Sequence, residues 1–166
     1  MDIITEHLAK NGPSIRVVDI VAEILEEETA STIKEWLVRI NADPNLCSIK
    51  LDDETRSNHL PQLFKELVQR LRHPLPLGGK GPPSKSARMH GLTRREQGYS
   101  PAMLVEESRI LQVSIFDTLH KNSDRVDFNL LLPDVMVIAD EVDLQLAQAM
   151  TSYIAKANSD AQPLKP

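Results

Sequence analysis

The chain has 166 residues, and 19 Lys and Arg against 24 Asp and Glu give it a formal net charge of −5. That length suits one domain that buries roughly 70% of its unfolded surface unaided, and a single cysteine, Cys47, excludes an intramolecular disulfide and a thiolate-rich zinc site. The acidic balance argues against general nucleic-acid binding, no apolar run approaches the roughly 20 residues that span a bilayer, and Asp2 and Glu6 stand where a secretory signal would be basic. The expectation is a soluble cytoplasmic domain with no membrane and no nucleic-acid partner.

Strand-period alternation is scarce and helical spacing recurs. Ile3, Ile4 and Leu8 share one face of a short predicted helix, stopped by Gly12 and Pro13. Ser14 can cap the next, whose stripe is Ile15, Val18, Val21, Ala22 and Leu25. Glu26, Glu27 and Glu28 oppose the macrodipole at its C-terminus, so this helix ends or bends there. Thr32 and Glu35 have capping-box spacing, ahead of Ile33, Trp36, Leu37 and Ile40. Asp43-Pro44-Asn45 is a turn. Asp52 or Asp53 caps the segment that follows, and Pro61 sets the start of its main helix near His59, with Leu60, Leu63, Phe64, Leu67, Val68 and Leu71 inward.

Residues 73 to 83 concentrate proline and glycine and read as a mobile loop within one domain. A helix follows from about Ser84 to Gln97, with Gly98 placed to end it. Ser100-Pro101 then starts a helix as N-cap and first turn, with Leu104, Leu111, Ile115 and Leu119 inward. The last helix is predicted from about Leu131 to Ala157. Leu132, Val135, Ala139, Val142, Leu146, Ala149 and Tyr153 step through it at alternating threes and fours, a seam for packing inside the chain or against a second copy. The fold class expected is an all-α, single-domain bundle of about six helices over residues 1–158, with a long C-terminal helix and a linker beginning at 159.

The residues with chemical potential lie on one helix face. Ala87, His90, Arg94 and Gln97 share that face. An arginine turned into a bundle needs a carboxylate, and Glu106 and Glu107 are the nearest in sequence. A His90–Arg94–Glu107 cluster therefore reads either as a structural ion pair orienting two helices or as a polar pocket that senses an anion, a proton or a small ligand. Other sites are poorly supported. Met89-His90-Gly91-Leu92-Thr93-Arg94 only loosely matches a phosphotransfer histidine. Gly78-Gly79-Lys80-Gly81 lacks the spacing and the strand of a phosphate loop. The five histidines offer no i, i+3 or i, i+4 pair for a metal, only six aromatic residues are present to wall a haem, and Cys47 sits in an apolar context that favours a quiet thiol. No catalytic residue, metal or cofactor is expected.

Residues 87 to 115 add a likeness to these readings. Ala87, His90-Gly91, Arg94, Gln97-Gly98-Tyr99, Leu104, Glu107, Leu111 and Ile115 resemble the pattern of the RsbRD-type N-terminal domain. Trp36 and His59-Leu60-Pro61 with Leu63 and Leu67 stand in the matching order upstream. Ser108 and Gln112 depart from it, where the family often carries an aromatic and an arginine. The resemblance implies a non-catalytic input domain ahead of the kinase core in bacterial sensor histidine kinases, or in RsbT co-antagonist proteins. It implies a dimeric parent, with a downstream kinase or output domain of the same protein as partner. Signal would then leave along the Leu132–Tyr153 seam. A stand-alone stress-signalling module, a haem- or ligand-binding globin-like sensor and a histidine phosphotransfer bundle are the alternatives.

Overall fold

A computed structural model describes residues 17–161, and among them every regular element is a helix. The helices are α1 (Val17–Glu27), α2 (Thr29–Ala42), the single-turn α3 (Asp53–Ser57), α4 (Leu60–Arg72), α5 (Lys85–Glu96), α6 (Pro101–Lys121) and α7 (Phe128–Asp160). The fold is an all-α bundle with a long C-terminal helix. No helix among the described residues is long and apolar enough to cross a membrane. The predicted helix at Ile3–Leu8 and the Ser14 cap lie outside the described residues.

α1 and α2 are almost one helix. The Glu28 amide donates to the Ile24 carbonyl, and the Thr32 amide donates to that of Glu28, so the ladder runs through the acidic run and only the turn at Glu28 interrupts it. This overturns the capping box expected at Thr32 and Glu35. Thr32 lies a full turn inside α2, fully buried, with its hydroxyl on the Glu28 carbonyl and on the Thr118 hydroxyl at 2.7 Å. The remaining caps follow the sequence. The Asp52 carboxylate accepts from the Thr55 amide, Ser84 from Ala87 and Ser100 from Met103, each satisfying a donor that the first helical turn leaves free. After α5, Gly98 takes φ +88°. The Tyr99 amide then reaches the Arg94 carbonyl, and the Gly98 amide that of Arg95. This paired closure requires a left-handed residue between helix and exit, and it drops Tyr99 into the core.

Apolar faces of α1, α2, α4 and α6 meet around Trp36, Ile40, Leu60, Phe64 and Ile115, all 2% exposed or less. α5 lies along α7 in the most extensive helix pairing of the fold, around a smaller cluster of Leu104, Ala149 and Tyr153. The two helices meet closely at Gly91, where an added Cβ would lie 2.0 Å from the Ala149 carbonyl oxygen. Residues 74–83 form an exposed loop, as expected, yet it is tied to α7 at two points, with a third bond at Ser84 where it enters α5. The Gly78 amide donates to Asp140, the Gln148 amide group donates to the Pro82 carbonyl, and the Ser84 amide donates to Gln148 Oε1.

α7 differs from its prediction in extent and in facing. Asp127 caps it and Phe128 begins it, three residues before the expected start, and it tolerates Pro133 near its N-terminus, where only the bond to the Asn129 carbonyl is lost. It continues to Asp160, past the linker expected to begin at 159. Of the predicted seam, Val142, Ala149 and Tyr153 are buried and Leu146 packs against Ala149 and Tyr153. Val135 and Ala139 are only half-buried, and Leu132 is 65% exposed. Before residue 140 the buried positions among the described side chains of α7 are Asp134 and Ile138 instead. As a stripe facing this chain's own core, the seam therefore holds from Val142 onward and not at Leu132, Val135 and Ala139, because the buried stripe there runs one residue, or about 100°, away from the predicted line.

Candidate functional site

The structure brings His90, Arg94 and Glu107 together in the interior. α5 supplies the first two one turn apart, and α6 supplies the carboxylate from its second turn. Arg94 is 1% exposed and Glu107 2%. Arg94 Nε lies 3.1 and 3.0 Å from the two Glu107 oxygens, and Nη2 lies 2.7 Å from Oε1, the fork-on-carboxylate geometry that makes arginine the preferred partner for a buried acid. The rest of the guanidinium is also satisfied. Nη1 donates to Gln97 Oε1 at 2.7 Å, Nη2 donates to the Arg56 carbonyl, and the group lies over the Tyr99 ring with its carbon 4.8 Å from the centroid. His90 Nε2 lies 3.2 Å from Glu107 Oε2. Glu106, the other acid considered, faces outward and pairs with Arg109 on its own helix.

Electrostatics keep this hub charged. Burial alone would raise the Glu107 carboxyl, but the His90 imidazole and the Arg94 guanidinium outweigh it and hold the group below the usual glutamate range. A desolvated carboxylate with this many donors stays ionised.

Four further residues join the cluster that the sequence reading did not place in it. His59, at the start of α4, stacks on His90 with ring centroids 3.8 Å apart and an interplanar angle of 15°, and its other side meets Trp36 edge-on at 6.3 Å. Desolvation, reinforced by the nearby His90 and Arg94, pushes His59 well below the ordinary histidine value, so it stays neutral. The Trp36 indole N–H donates to the Glu107 carbonyl. Arg56, 2% exposed, donates to the Tyr99 hydroxyl and to the Leu46 and Ile49 carbonyls. Tyr153 on α7 closes the set by donating from its hydroxyl to the Tyr99 carbonyl at 2.6 Å. One network thus links α2, α3, α4, α5, α6 and α7.

Beside the hub is a cavity of about 30 Å³ walled by Leu60, Leu63, Leu104, Leu111 and Val142, with His59, His90 and Glu107 at its polar end. That volume holds a water molecule, far short of the few hundred Å³ of a ligand pocket. On the far side of the stacked imidazoles a surface groove is lined by Asn58, Gln62, Ser86 and Thr93 together with both histidines, so the pair partitions solvent from the interior. The arrangement is a stacked imidazole pair between a water-sized void and a surface groove. It does not suit His90 for phosphotransfer, because an imidazole with 11% of its side chain exposed and a ring stacked on it cannot meet a partner's phosphoryl group.

The neutral His59 has a stability consequence. Its folded value lies below its unfolded one, so the unfolded chain takes up the proton more readily and stability falls as pH drops below about 6.5, with a limiting slope of about 1.4 kcal/mol per pH unit for one proton. The urea midpoint is expected to be lower at pH 5.5 than at pH 7.5, and His59→Phe is expected to reduce that difference. An unchanged difference in the variant would show that another group carries it. Compared with known proteins, the chain matches no protein-family model, no curated protein and no solved structure.

Proposed function

We propose that this chain is a non-catalytic regulatory input domain of a bacterial signalling protein, of the RsbRD type, whose output partner is a histidine kinase core. The observation that carries the reading is the coupling of the buried hub to α7. Arg94 and Glu107 lock α5 to α6, Gly91 sets the α5 backbone against the Ala149 carbonyl, and the Tyr153–Tyr99 bond ties α7 to the α5 exit. A change in the charge or packing of the hub therefore reaches a helix of 33 residues, about 50 Å long at 1.5 Å per residue. Rotation or sliding of such a helix is an established way for a small local event to reach a distant output.

The homodimer belongs to this reading too. Phe128, Leu132 and Met136 follow at i, i+4 and i+8 on α7 and are 66%, 65% and 48% exposed, an apolar stripe with the spacing of a helix-pairing face. Of the predicted seam only Leu132 is on it. The input role is tested by joining the chain in helical register after Asp160 to a dimeric histidine kinase core and inserting one to four residues at the joint. Autophosphorylation is expected to vary with helical phase, and His90→Gln is expected to shift the rate in the in-phase fusion. Equal rates with and without the chain, in every register, would contradict the proposal.

A further inference from the structure

His59 stands between two spaces. The surface groove on its outer side measures about 240 Å³ and is lined by Asn58, Gln62, Ser86 and Thr93. The water-sized void on its inner side ends at His90 and Glu107. The His59 side chain makes no capping bond to α4. Ring contacts hold it in place, flat on His90 at 3.8 Å and edge-on to Trp36. Trp36 is the single tryptophan of the chain and is fully buried.

The slot opposes a positive charge on His59. α5 presents His90 and Arg94 to it, and burial together with these cations holds its value well below that of an ordinary histidine. His59 also stands at the N-terminus of α4, where the positive end of the helix dipole disfavours a cation. α6 presents Glu107, but Arg94 and His90 already share that carboxylate. α2 and α7 contribute Trp36, Val142 and Gln145 at the void, all uncharged. Arg56 of α3 adds a second buried guanidinium to the network through Tyr99. The outer groove offers what the slot lacks. It has water and the polar groups of Asn58, Gln62, Ser86 and Thr93. Glu66, on the same helix as His59, accepts from both Gln62 and Ser86, which brings a carboxylate beside two residues of the groove wall.

We propose that His59 is a proton-operated latch on the interior void: unprotonated it stays wedged between Trp36 and His90, and with a proton it turns out into the groove toward Glu66. The stack tolerates one charge, answered by Glu107, and not a second. The closed slot disfavours the proton and the open position accepts it, so acid shifts the balance outward. The open-to-closed ratio rises by up to about tenfold per pH unit below about 6.5. Opening uncovers Trp36 and lets water reach Glu107. The latch is a property of this chain alone. Its use as the input rests on the regulatory reading, whereas its existence is tested without any output domain.

The test is acrylamide quenching of Trp36 fluorescence in the full chain. Between pH 7.5 and pH 5.0 the Stern–Volmer constant is expected to rise about threefold or more, with red-shifted emission and an unchanged helical circular dichroism signal. The ring of His59→Phe can occupy the slot but takes no proton, so this variant is expected to stay flat over the same range. Nuclear magnetic resonance adds a reading that needs no variant. The cross-peak between the His59 and His90 rings is expected to vanish with the same midpoint as the rise in quenching. Quenching that stays flat in the wild type, an equal rise in His59→Phe, a ring cross-peak that persists, or a rise that comes only with loss of helix would each overturn the proposal.

Discussion

Arg94→Met is expected to destabilise the bundle by about 3–5 kcal/mol, the usual result of removing one partner from a buried ion pair. At the roughly 2–4 °C per kcal/mol typical of chains this size, the melting temperature falls by on the order of 10 °C. The loss comes less from the missing attraction than from what remains. Glu107, 2% exposed, keeps only the His90 contact, and the Gln97 side chain and Arg56 carbonyl each lose a charged donor. Arg94→Lys is expected to recover little, because an ammonium cannot reproduce the forked contact and the stacking on Tyr99 together. Thermal unfolding followed by circular dichroism measures both variants. A wild-type melting temperature for Arg94→Met would show that the guanidinium is not buried in the folded protein.

The second large effect is expected at Gly91, and its sign is the informative part. In an exposed helix interior, Gly→Ala stabilises by about 0.5–1 kcal/mol. At Gly91 the added methyl carbon would stand 2.0 Å from the Ala149 oxygen and 2.7 Å from its carbonyl carbon. These are backbone atoms, so no change of rotamer relieves the contact and the helices must separate. Gly91→Ala is expected to cost about 1–3 kcal/mol as an overpacked core does, with Gly91→Val worse. Ala149→Gly should not rescue it, since the obstacle is the carbonyl and not the Ala149 methyl. Urea unfolding of the three variants and the double variant reads this directly, and a stabilised Gly91→Ala protein would refute the close crossing of α5 and α7.

Much of this architecture was legible in the sequence where apolar spacing and capping chemistry agreed. Leu104, Leu111, Ile115 and Leu119 announce the inner face of α6, and all four are buried. The Ser84, Ser100-Pro101 and Gly98 signals placed both ends of α5 and the start of α6. Misreadings arose where polar residues occupy the buried face. Asp134, Glu141 and Gln145 lie inward on α7, and a line drawn through apolar residues alone passed to Leu132, Val135 and Ala139 instead. Thr32 was misplaced for a related reason. A hydroxyl at capping-box spacing reads as a helix start, whereas here it serves a buried contact with Thr118 across 86 residues of chain.

Within the site, the proximity of His90, Arg94 and Glu107 was accessible because short connections make neighbours of consecutive helices. His59 is 31 positions before His90, and nothing local predicts that two rings so far apart will stack.

The claim underlying the whole reading is that Arg94 and Glu107 form one energetic unit in the interior. A double-mutant cycle with Arg94→Met, Glu107→Leu and the combined variant, each unfolded in urea at neutral pH, measures that coupling without assigning energy to either residue alone. Each single change is expected to be severe, and the double variant is expected to be more stable than the sum of the singles predicts by about 2–3 kcal/mol. Additive losses would mean that the two charges do not depend on each other, and the hub would not exist as a unit.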